Sequence, residues 1–226
     1  MSIQWFPGHM AKARRMIAEN LKLIDVVVEL ADARLPESSR NPLLAELTGQ
    51  KPRILVLTKE DLAEPAFTKR WVDYYQKQGL AAIPLNATRA MKNVRQKLLE
   101  RIRREAREIL SKRARKGIIN KTVRTMIVGI PNVGKSTLIN FVAGRSAAET
   151  GDRPGVTKGK QWIRLEGKIE LLDMPGLLWP KIEDPEVARK LAVTGAISDN
   201  ILPQEELALW LLQWLRQVLP GRIEAR

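Results

Sequence analysis

The 226-residue sequence predicts an α/β fold, with a mostly parallel sheet covered by helices on both faces. Four short apolar runs have the length and composition of strands buried on both sides. Segments with apolar residues at helical spacing alternate with these runs, which is typical of a sheet built from strand–helix–strand units. A glycine-rich turn also joins one of the runs directly to a helix, as expected in such a sheet.

The elements alternate from the N-terminus onward. A helix is predicted over 8–23, followed by a strand at 25–30 and a polar, proline-punctuated loop at 32–42. A single long helix is predicted over 89–116, where the apolar residues recur at helical spacing and the other face is strongly basic. The remaining predicted strands are 53–58, 81–86 and 123–130, the remaining helices are 42–48, 65–78 and 136–143, and 160–165 with 168–173 form a hairpin.

After Pro185 the pattern becomes helical only, with predicted helices at 185–194 and 205–219. We therefore expect a domain over residues 1–180 and the first part of an incomplete C-terminal helical domain over 181–226. The last helix carries an apolar stripe that predicts core packing, formed by Leu207, Trp210, Leu211, Trp214, Leu215 and Val218.

Composition narrows the functional classes. Zero cysteines exclude a disulfide framework and a thiolate metal site, and they fit a cytoplasmic location. No signal peptide or membrane span is evident, so no membrane partner is expected. The formal net charge is +14, and residues 89–116 hold 12 Lys/Arg against 3 Glu. A solvated helix face is the simpler explanation, but three anions cannot neutralise twelve cations, so contact with nucleic acid, RNA in particular, is favoured.

The segment "GIPNVGKST" at 129–137 matches the phosphate-binding loop G-x-x-x-x-G-K-[ST] between a strand and a helix. Backbone N–H groups from Asn132 to Ser136 would surround a β-phosphate at the positive end of the helix dipole. Lys135 would lie against the β- and γ-phosphates, and Ser136 would ligate Mg²⁺. The residues of this loop expected to contact nucleotide are Asn132, Val133, Gly134, Lys135, Ser136 and Thr137.

Two downstream segments complete a phosphate-and-metal site. "DMPG" at 173–176 ends a predicted strand, so Asp173 would hold Mg²⁺ through water and the Gly176 N–H would contact the γ-phosphate. Thr157, in "DRPGVTKG", would bring a hydroxyl to Mg²⁺ and to the γ-phosphate. A D-x-P-G sequence alone is an ordinary turn, but a phosphate loop about 40 residues earlier makes it specific.

The base site is predicted from two strand ends. "TKED" comprises Thr58, Lys59, Glu60 and Asp61 and resembles the [NT]-K-x-D motif; a buried Asp61 carboxylate would accept from N1–H and the 2-amino group of guanine. Adenine lacks that amino group and presents an acceptor at N1, which opposes an ATP-using enzyme, the first alternative. "NAT" supplies Asn86 and the Ala87 N–H for the guanine carbonyl. The base motifs precede the phosphate loop, and joining the old termini allows this order because all these loops follow strand ends.

The order TKED, NAT, GIPNVGKST, GVT, DMPG, together with "WFPGHMAKA" and "DARLPESSRNP", resembles the circularly permuted ribosome-assembly GTPases of the RbgA/YlqF type over essentially the whole chain. The resemblance implies a P-loop GTPase fold, binding of GTP and GDP with Mg²⁺, and a cytoplasmic role in maturing the large ribosomal subunit. The expected partners are a precursor of that subunit and ribosomal RNA, with no DNA. In this family a helical RNA-binding domain usually follows.

The water-handling residue is the open question. Leu177 and Leu178 follow Gly176 where many GTPases carry glutamine, and leucine cannot orient water. The resemblance suggests His9, the one histidine of the sequence, as the catalytic group. A capping or packing role for His9 is the alternative. Asn132 matches the position that helps to hold K⁺ in related GTPases, and its alternative role is to shape the loop. The rival to a hydrolase is an RNA-binding scaffold in which GTP acts as a conformational ligand.

Overall fold

The computed structural model describes residues 3–4, 8–87, 92–119, 121–144, 161–197 and 203–221. Its strands are β1 (Ile3–Gln4), β2 (Val26–Asp32), β3 (Arg53–Thr58), β4 (Ala81–Leu85), β5 (Val123–Gly129), β6 (Gln161–Leu165), β7 (Ile169–Asp173) and β8 (Lys181–Ile182). Its helices are α1 (Gly8–Leu21), α2 (Pro42–Thr48), α3 (Pro65–Lys77), α4 (Lys92–Glu105), α5 (Arg107–Arg115), α6 (Lys135–Ala143), α7 (Pro185–Val193) and α8 (Gln204–Val218). A short 3₁₀ turn spans Glu60–Leu62.

Six strands form the central sheet in the order β4-β3-β2-β5-β7-β6. All neighbouring pairs are parallel except β6 with β7, which form the predicted hairpin. The strand of the phosphate loop, β5, lies near the middle of the sheet. Strands that precede it along the chain lie on one side, and the two that follow it lie on the other. The predicted α/β fold with a mostly parallel sheet is confirmed.

Helices cover both faces of this sheet. Alternate residues of β3 belong to different clusters, because successive side chains of a strand point to opposite faces. Ile54 and Val56 join the larger cluster, which includes buried residues of α1, α4 and α6. Leu55 and Leu57 join a smaller cluster with Tyr75 of α3. Every residue of β2 is buried, as the apolar run predicted.

The basic segment differs from its prediction because it forms two helices instead of one. The helix is interrupted at Ala106, which is fully buried and has ψ close to zero. Beyond it, Arg113 donates two hydrogen bonds to the carboxylate of Asp25, which is at the amino end of β2 and also accepts from the Arg124 N–H. An alanine at an apolar helical position does not signal such a turn, since alanine is the best helix former.

The C-terminal helix also differs from its prediction, because none of the described residues of α8 is buried. The helix rests on α7 through two cation–aromatic contacts: Arg189 lies over Trp210 and Lys190 lies over Trp214. A single neighbouring helix covers only part of an apolar stripe, so the predicted core packing is wrong for these residues. Among the described helices, none combines the length and apolar character that a membrane span requires.

Candidate nucleotide site

The predicted nucleotide loops lie at one edge of the sheet. The phosphate loop follows β5, the TKED and NAT segments follow β3 and β4, and DMPG follows β7. These four strands run parallel, so their carboxyl ends share one edge. Ligands of open α/β sheets bind outside that edge. The fold therefore brings together segments that are far apart in the chain.

The backbone of the phosphate loop has the conformation that its glycines predict. Gly134 has a φ of +99°, a left-handed conformation that favours glycine, and it directly precedes α6. Asn132 has a φ of +55°, which asparagine tolerates better than most residues. A Cβ on Gly129 would lie 2.9 Å from Cγ1 of Val133, so a side chain there would displace the loop.

Lys135 and Asp173 are a buried pair of opposite charge beside this loop. The Lys135 ammonium donates to the Ile130 carbonyl at 2.7 Å. Burial lowers the pKa of Lys135 to about 8, against the opposing effect of Asp173. Burial raises the pKa of Asp173 to about 6, partly offset by Lys135. Oδ1 of Asp173 has no hydrogen-bond partner among the described residues, and such a buried oxygen fits a magnesium-bound water.

Gly176 is required by a close approach to the phosphate loop. A Cβ on Gly176 would lie 2.8 Å from the backbone nitrogen of Pro131 and 3.1 Å from Nζ of Lys135. The glycine of DMPG therefore lets this segment pass directly against the phosphate loop, as its predicted role requires. Both following leucines, Leu177 and Leu178, are completely buried in the core, so their apolar character is explained by packing.

Asn41 holds the DMPG segment in place, and the sequence did not single it out. Its Nδ2 donates to the Leu177 carbonyl at 2.7 Å, and its Oδ1 accepts from the Leu43 N–H and caps α2. The Leu177 N–H donates in turn to the Gly129 carbonyl at 3.1 Å. The Asn-Pro pair does signal a helix start, but no sequence signal shows the contact across 136 residues.

We expect Asn41→Asp to destabilise the protein by about 1–2 kcal/mol, because it retains the cap of α2 but loses the donor to Leu177. The measurement is the free energy of unfolding from urea denaturation. Asp184→Asn is the matched control, because Asp184 caps α7 through the Glu186 N–H and asparagine retains that acceptor. Equal stability of Asn41→Asp and the wild type would show that the contact with Leu177 contributes nothing.

The base motif is joined directly to the phosphate loop. Thr58 is buried, and its Oγ1 lies 2.6 Å from the Val133 carbonyl oxygen and 3.1 Å from that of Ala31. The Thr58 hydroxyl therefore donates most closely to the Val133 carbonyl of the phosphate loop. This hydrogen bond ties the TKED segment to the phosphate loop.

The other base-site residues lie around this bridge. Lys59 has a left-handed backbone conformation and directly precedes the 3₁₀ turn that contains Glu60 and Asp61. The Asp61 side chain is exposed at the surface of the site, so the expectation of a buried carboxylate is wrong for this structure. Asn86 and Ala87 are half-buried at the end of β4.

The structure describes three further predicted site residues to different extents. Thr157 lies outside the described residues. His9 is in the first turn of α1, and its side chain lies outside what the structure describes. Asn132 lies in the phosphate loop, where its Nδ2 donates to the Gly195 carbonyl at 2.7 Å, just after α7.

The fold and the site define a P-loop nucleotide-binding protein with permuted loops, since the base segments precede the phosphate loop. Residues 124–215 match the family described as "50S ribosome-binding GTPase". Ribosome biogenesis GTPase A of Priestia megaterium is 50% identical over all of this chain and 78% of its own length. The crystal structure of GNP-bound YlqF from T. maritima has a TM-score of 0.66 and 29% identity, over 91% of this chain and 75% of that one.

A GDP-bound structure of the T. maritima protein has a TM-score of 0.61 and 30% identity over 84% of this chain and 70% of that one. The chain belongs to the ribosome biogenesis GTPase A family, of the RbgA/YlqF type. It is therefore a circularly permuted GTPase that hydrolyses GTP and is related to ribosome biogenesis factors, and the sequence-based recognition is confirmed.

Proposed function

We propose that this GTPase acts in assembly of the large ribosomal subunit, that it contacts ribosomal RNA through a basic surface, and that a precursor of the subunit stimulates its hydrolysis. The observation that carries the proposal is the separation of two surfaces. The nucleotide loops lie at the carboxyl edge of the sheet, whereas the docked end of α5 lies at the amino edge beside Asp25. RNA and nucleotide can therefore bind at the same time.

The arrangement of the loops supports a set of proposed nucleotide contacts. The N–H groups at the start of α6 face the β-phosphate, and Lys135 reaches the β- and γ-phosphates. Asp61 accepts from guanine, Lys59 lies along the base, and the strand end at 86–87 faces the guanine carbonyl. The proposed contacts are Thr58, Lys59, Glu60, Asp61, Asn86, Ala87, Asn132, Val133, Gly134, Lys135, Ser136, Thr137, Thr157 and Gly176.

Mg²⁺ fits the oxygen donors at this edge. Ser136 and Thr157 would ligate it directly, and Asp173 would hold one of its waters, which would satisfy the buried Oδ1. The ion supplies charge neutralisation for the transferred phosphoryl group. A positive ion would also stabilise the ionised form of Asp173, whose pKa burial raises.

The proposed RNA surface is the exposed basic face of α4 and α5. The cations that face the body of the protein are paired with acids: Arg95 with Glu166, Arg101 with Glu105, and Arg113 with Asp25. The other exposed cations form no ion pair among the described residues, and they are Lys97, Arg103, whose guanidinium lies against Gly167, Arg104, Arg107, Lys112, Arg115 and Lys116. The phosphates of a nucleic-acid backbone can neutralise exposed cations that have no acidic partner.

The middle of this surface is concave. A groove of about 320 Å³ is lined by Glu100, Arg103, Arg104, Arg107 and Leu110. Three guanidinium groups beside one groove suit phosphate oxygens, which they can bind through paired hydrogen bonds. The alternative, a helix face that only contacts solvent, explains neither the groove nor the excess of positive charge.

We expect the triple variant Arg104→Ala, Arg107→Ala, Lys112→Ala to bind ribosomal RNA at least about 10-fold more weakly, because each cation neutralises phosphate. The salt dependence of log K should decrease by about one for each lost contact. Basal GTP turnover should not change. The control removes three exposed cations of α3, by Lys69→Ala, Arg70→Ala and Lys77→Ala. Equal RNA affinity of both variants would place the RNA elsewhere.

For the hydrolytic step we propose His9 as the residue that orients water and Asn132 as a K⁺ ligand. The burial of Leu177 supports the need for another group, since that side chain is held in the core. The Asn132 amide is oriented by the Gly195 carbonyl, which bonds Nδ2, so cation binding would use Oδ1. K⁺ beside the phosphates would supply charge of the kind that an arginine finger supplies elsewhere.

One experiment tests stimulation and both auxiliary groups. Single-turnover hydrolysis of GTP is measured for the wild type and His9→Ala, with and without large-subunit precursor, in KCl and in NaCl at equal ionic strength. We expect precursor and K⁺ each to accelerate the wild type at least about 10-fold, and His9→Ala to lose the stimulation by precursor. A precursor without effect would favour the RNA-binding scaffold. Equal rates in the two salts would exclude K⁺, and unchanged stimulation of the variant would exclude His9.

The setting follows from the same proposal. Assembly of a bacterial ribosomal subunit takes place in the cytoplasm, where we place this protein. We also propose that residues 181–226 begin a C-terminal helical domain, with 1–180 as the GTPase domain. Membership of a GTPase family excludes the ATP-using alternative.

A further inference from the structure

An ionic cluster at the carboxyl end of β2 joins the lysine of the TKED motif to two residues outside the base motifs, Asp32 and Arg34. Asp32 is buried, and its carboxylate accepts hydrogen bonds from Nε and Nη2 of Arg34 at 2.9 and 2.6 Å. The Arg34 N–H also donates to it at 3.0 Å. The ammonium of Lys59 lies 3.2 Å from Oδ2 of the same carboxylate. Asp32 therefore connects the loop after β2 with the lysine of the TKED motif.

The sheet register explains why these groups meet. Asp32 pairs with Thr58 on the neighbouring parallel strand, so the two strands end side by side. Lys59 comes next and adopts a left-handed conformation, with a φ of 55°. Such a conformation costs free energy for a residue other than glycine, and here it accompanies the contact with Asp32.

Arg34 also interacts with the carboxylate that recognises guanine. Hydrogen bonding to Asp32 raises the pKa of the Arg34 guanidinium, and the charge of Asp61 raises it further. One guanidinium thus lies in the field of both carboxylates. It fixes the buried Asp32 by two parallel bonds, which is a geometry that lysine cannot make.

We propose that Asp32 and Arg34 are positioning residues of the guanine site: Asp32 holds the Lys59 ammonium so that the lysine stem lies ready along the base, and Arg34 holds Asp32. The inference rests on the proposed guanine site. A free lysine side chain has four rotatable bonds and loses rotamer freedom when it packs on a base. Fixing the ammonium before the nucleotide arrives reduces that loss and so increases affinity.

The test is Asp32→Asn, which retains the shape of the side chain but removes the charge that holds Lys59. We expect GDP to bind about 5- to 20-fold more weakly, measured by isothermal titration calorimetry. Inosine diphosphate, which lacks the 2-amino group, should lose the same factor, because Lys59 contacts the plane of the base and not its edge. Asp73→Asn is the matched control, since Asp73 pairs with Lys69 at the same 3.2 Å on exposed α3, and it should bind GDP like the wild type.

A double-mutant cycle separates positioning from a general structural role. In a Lys59→Ala protein, Asp32→Asn should cause no further loss of GDP affinity, because the group that Asp32 positions is absent. Arg34→Lys is the second variant. It retains a positive charge, so we expect a smaller loss of GDP affinity than with Asp32→Asn. That loss should also vanish in the Lys59→Ala background.

Three results are decisive against the inference. GDP affinity of Asp32→Asn equal to or above that of the wild type would overturn it, and so would a loss of the same size in the Lys59→Ala background. If the wild type bound ADP as tightly as GDP, the guanine site itself would be wrong. The comparison of ADP with GDP uses only the wild type, so failure of the guanine site is distinguished from failure of the positioning role.

Discussion

Replacement of Lys135 by alanine should lower GTP turnover by about 10²- to 10³-fold, the largest loss that we expect from a single phosphate-loop residue. The ammonium is buried beside the loop and donates to the Ile130 carbonyl, so its position is fixed before phosphate arrives. Burial already lowers its pKa to about 8, and the negative charge of phosphate would favour its protonated form. Its removal leaves developing charge on the γ-phosphoryl group without this cation.

The measurement combines steady-state turnover with thermal unfolding. A ligand that binds the folded state raises the melting temperature, so Mg²⁺ and GTP should stabilise the wild type but hardly stabilise Lys135→Ala. This difference separates loss of binding from loss of folding. Lys77→Ala, at an exposed lysine of α3, is the control and should behave like the wild type. A Lys135→Ala protein that GTP stabilises normally and that retains full turnover would exclude the assigned role.

Asp61→Asn should change which base is bound. Guanine presents two donors, N1–H and the 2-amino group, and the carboxylate can accept from both, whereas an asparagine amide presents one acceptor and one donor group. We expect GDP affinity to decrease by at least about 100-fold, because a donor is left facing a donor. Xanthosine diphosphate has a carbonyl in place of the amino group, and its affinity should rise.

Competition of GDP and xanthosine diphosphate for a fluorescent nucleotide measures this change. Glu64→Gln is the matched control, because Glu64 lies in the same loop, is exposed and makes no side-chain capping bond with α3. It should retain the preference of the wild type for GDP. If the Asp61→Asn protein kept the wild-type preference for GDP, another group would have to recognise the base.

Local signals in the sequence were sufficient for most elements. The apolar runs predicted β2, β3, β4 and β5 within two residues, since strands buried on both faces must be continuously apolar. The phosphate loop was predictable because its glycines are needed: Gly134 has a φ that other residues rarely adopt, and Gly129 has no room for a side chain. Strands β1 and β8 pair with each other, and each is two residues long, so they carry no pattern that a sequence window can detect.

The errors concern features that depend on neighbours. Ala106 interrupts the basic helix although alanine favours helix, and the stripe of α8 remains half-exposed although its spacing is typical of a core helix. In both cases a periodic pattern identifies an amphipathic face but not what covers it.

In the nucleotide site, too, some features could be identified from the sequence and others depend on the fold. The sequence by itself identified the segments: the phosphate loop with Lys135, the DMPG segment with Asp173, the TKED segment with Asp61, and the order of these motifs along the chain. Each is recognisable because its chemistry needs a particular residue within a short segment. The family comparison confirms the GTPase class that these motifs indicated.

The tertiary structure alone decided how the groups are connected. Asn41 holds Leu177 across 136 residues, Thr58 meets the phosphate loop across 75, and Asp32 reaches Lys59 from a neighbouring strand. None of these contacts has a sequence signature, because parallel strands bring their ends together through crossovers whose length says nothing about which side chains meet. Strand order and register set those distances, and they are properties of the folded sheet.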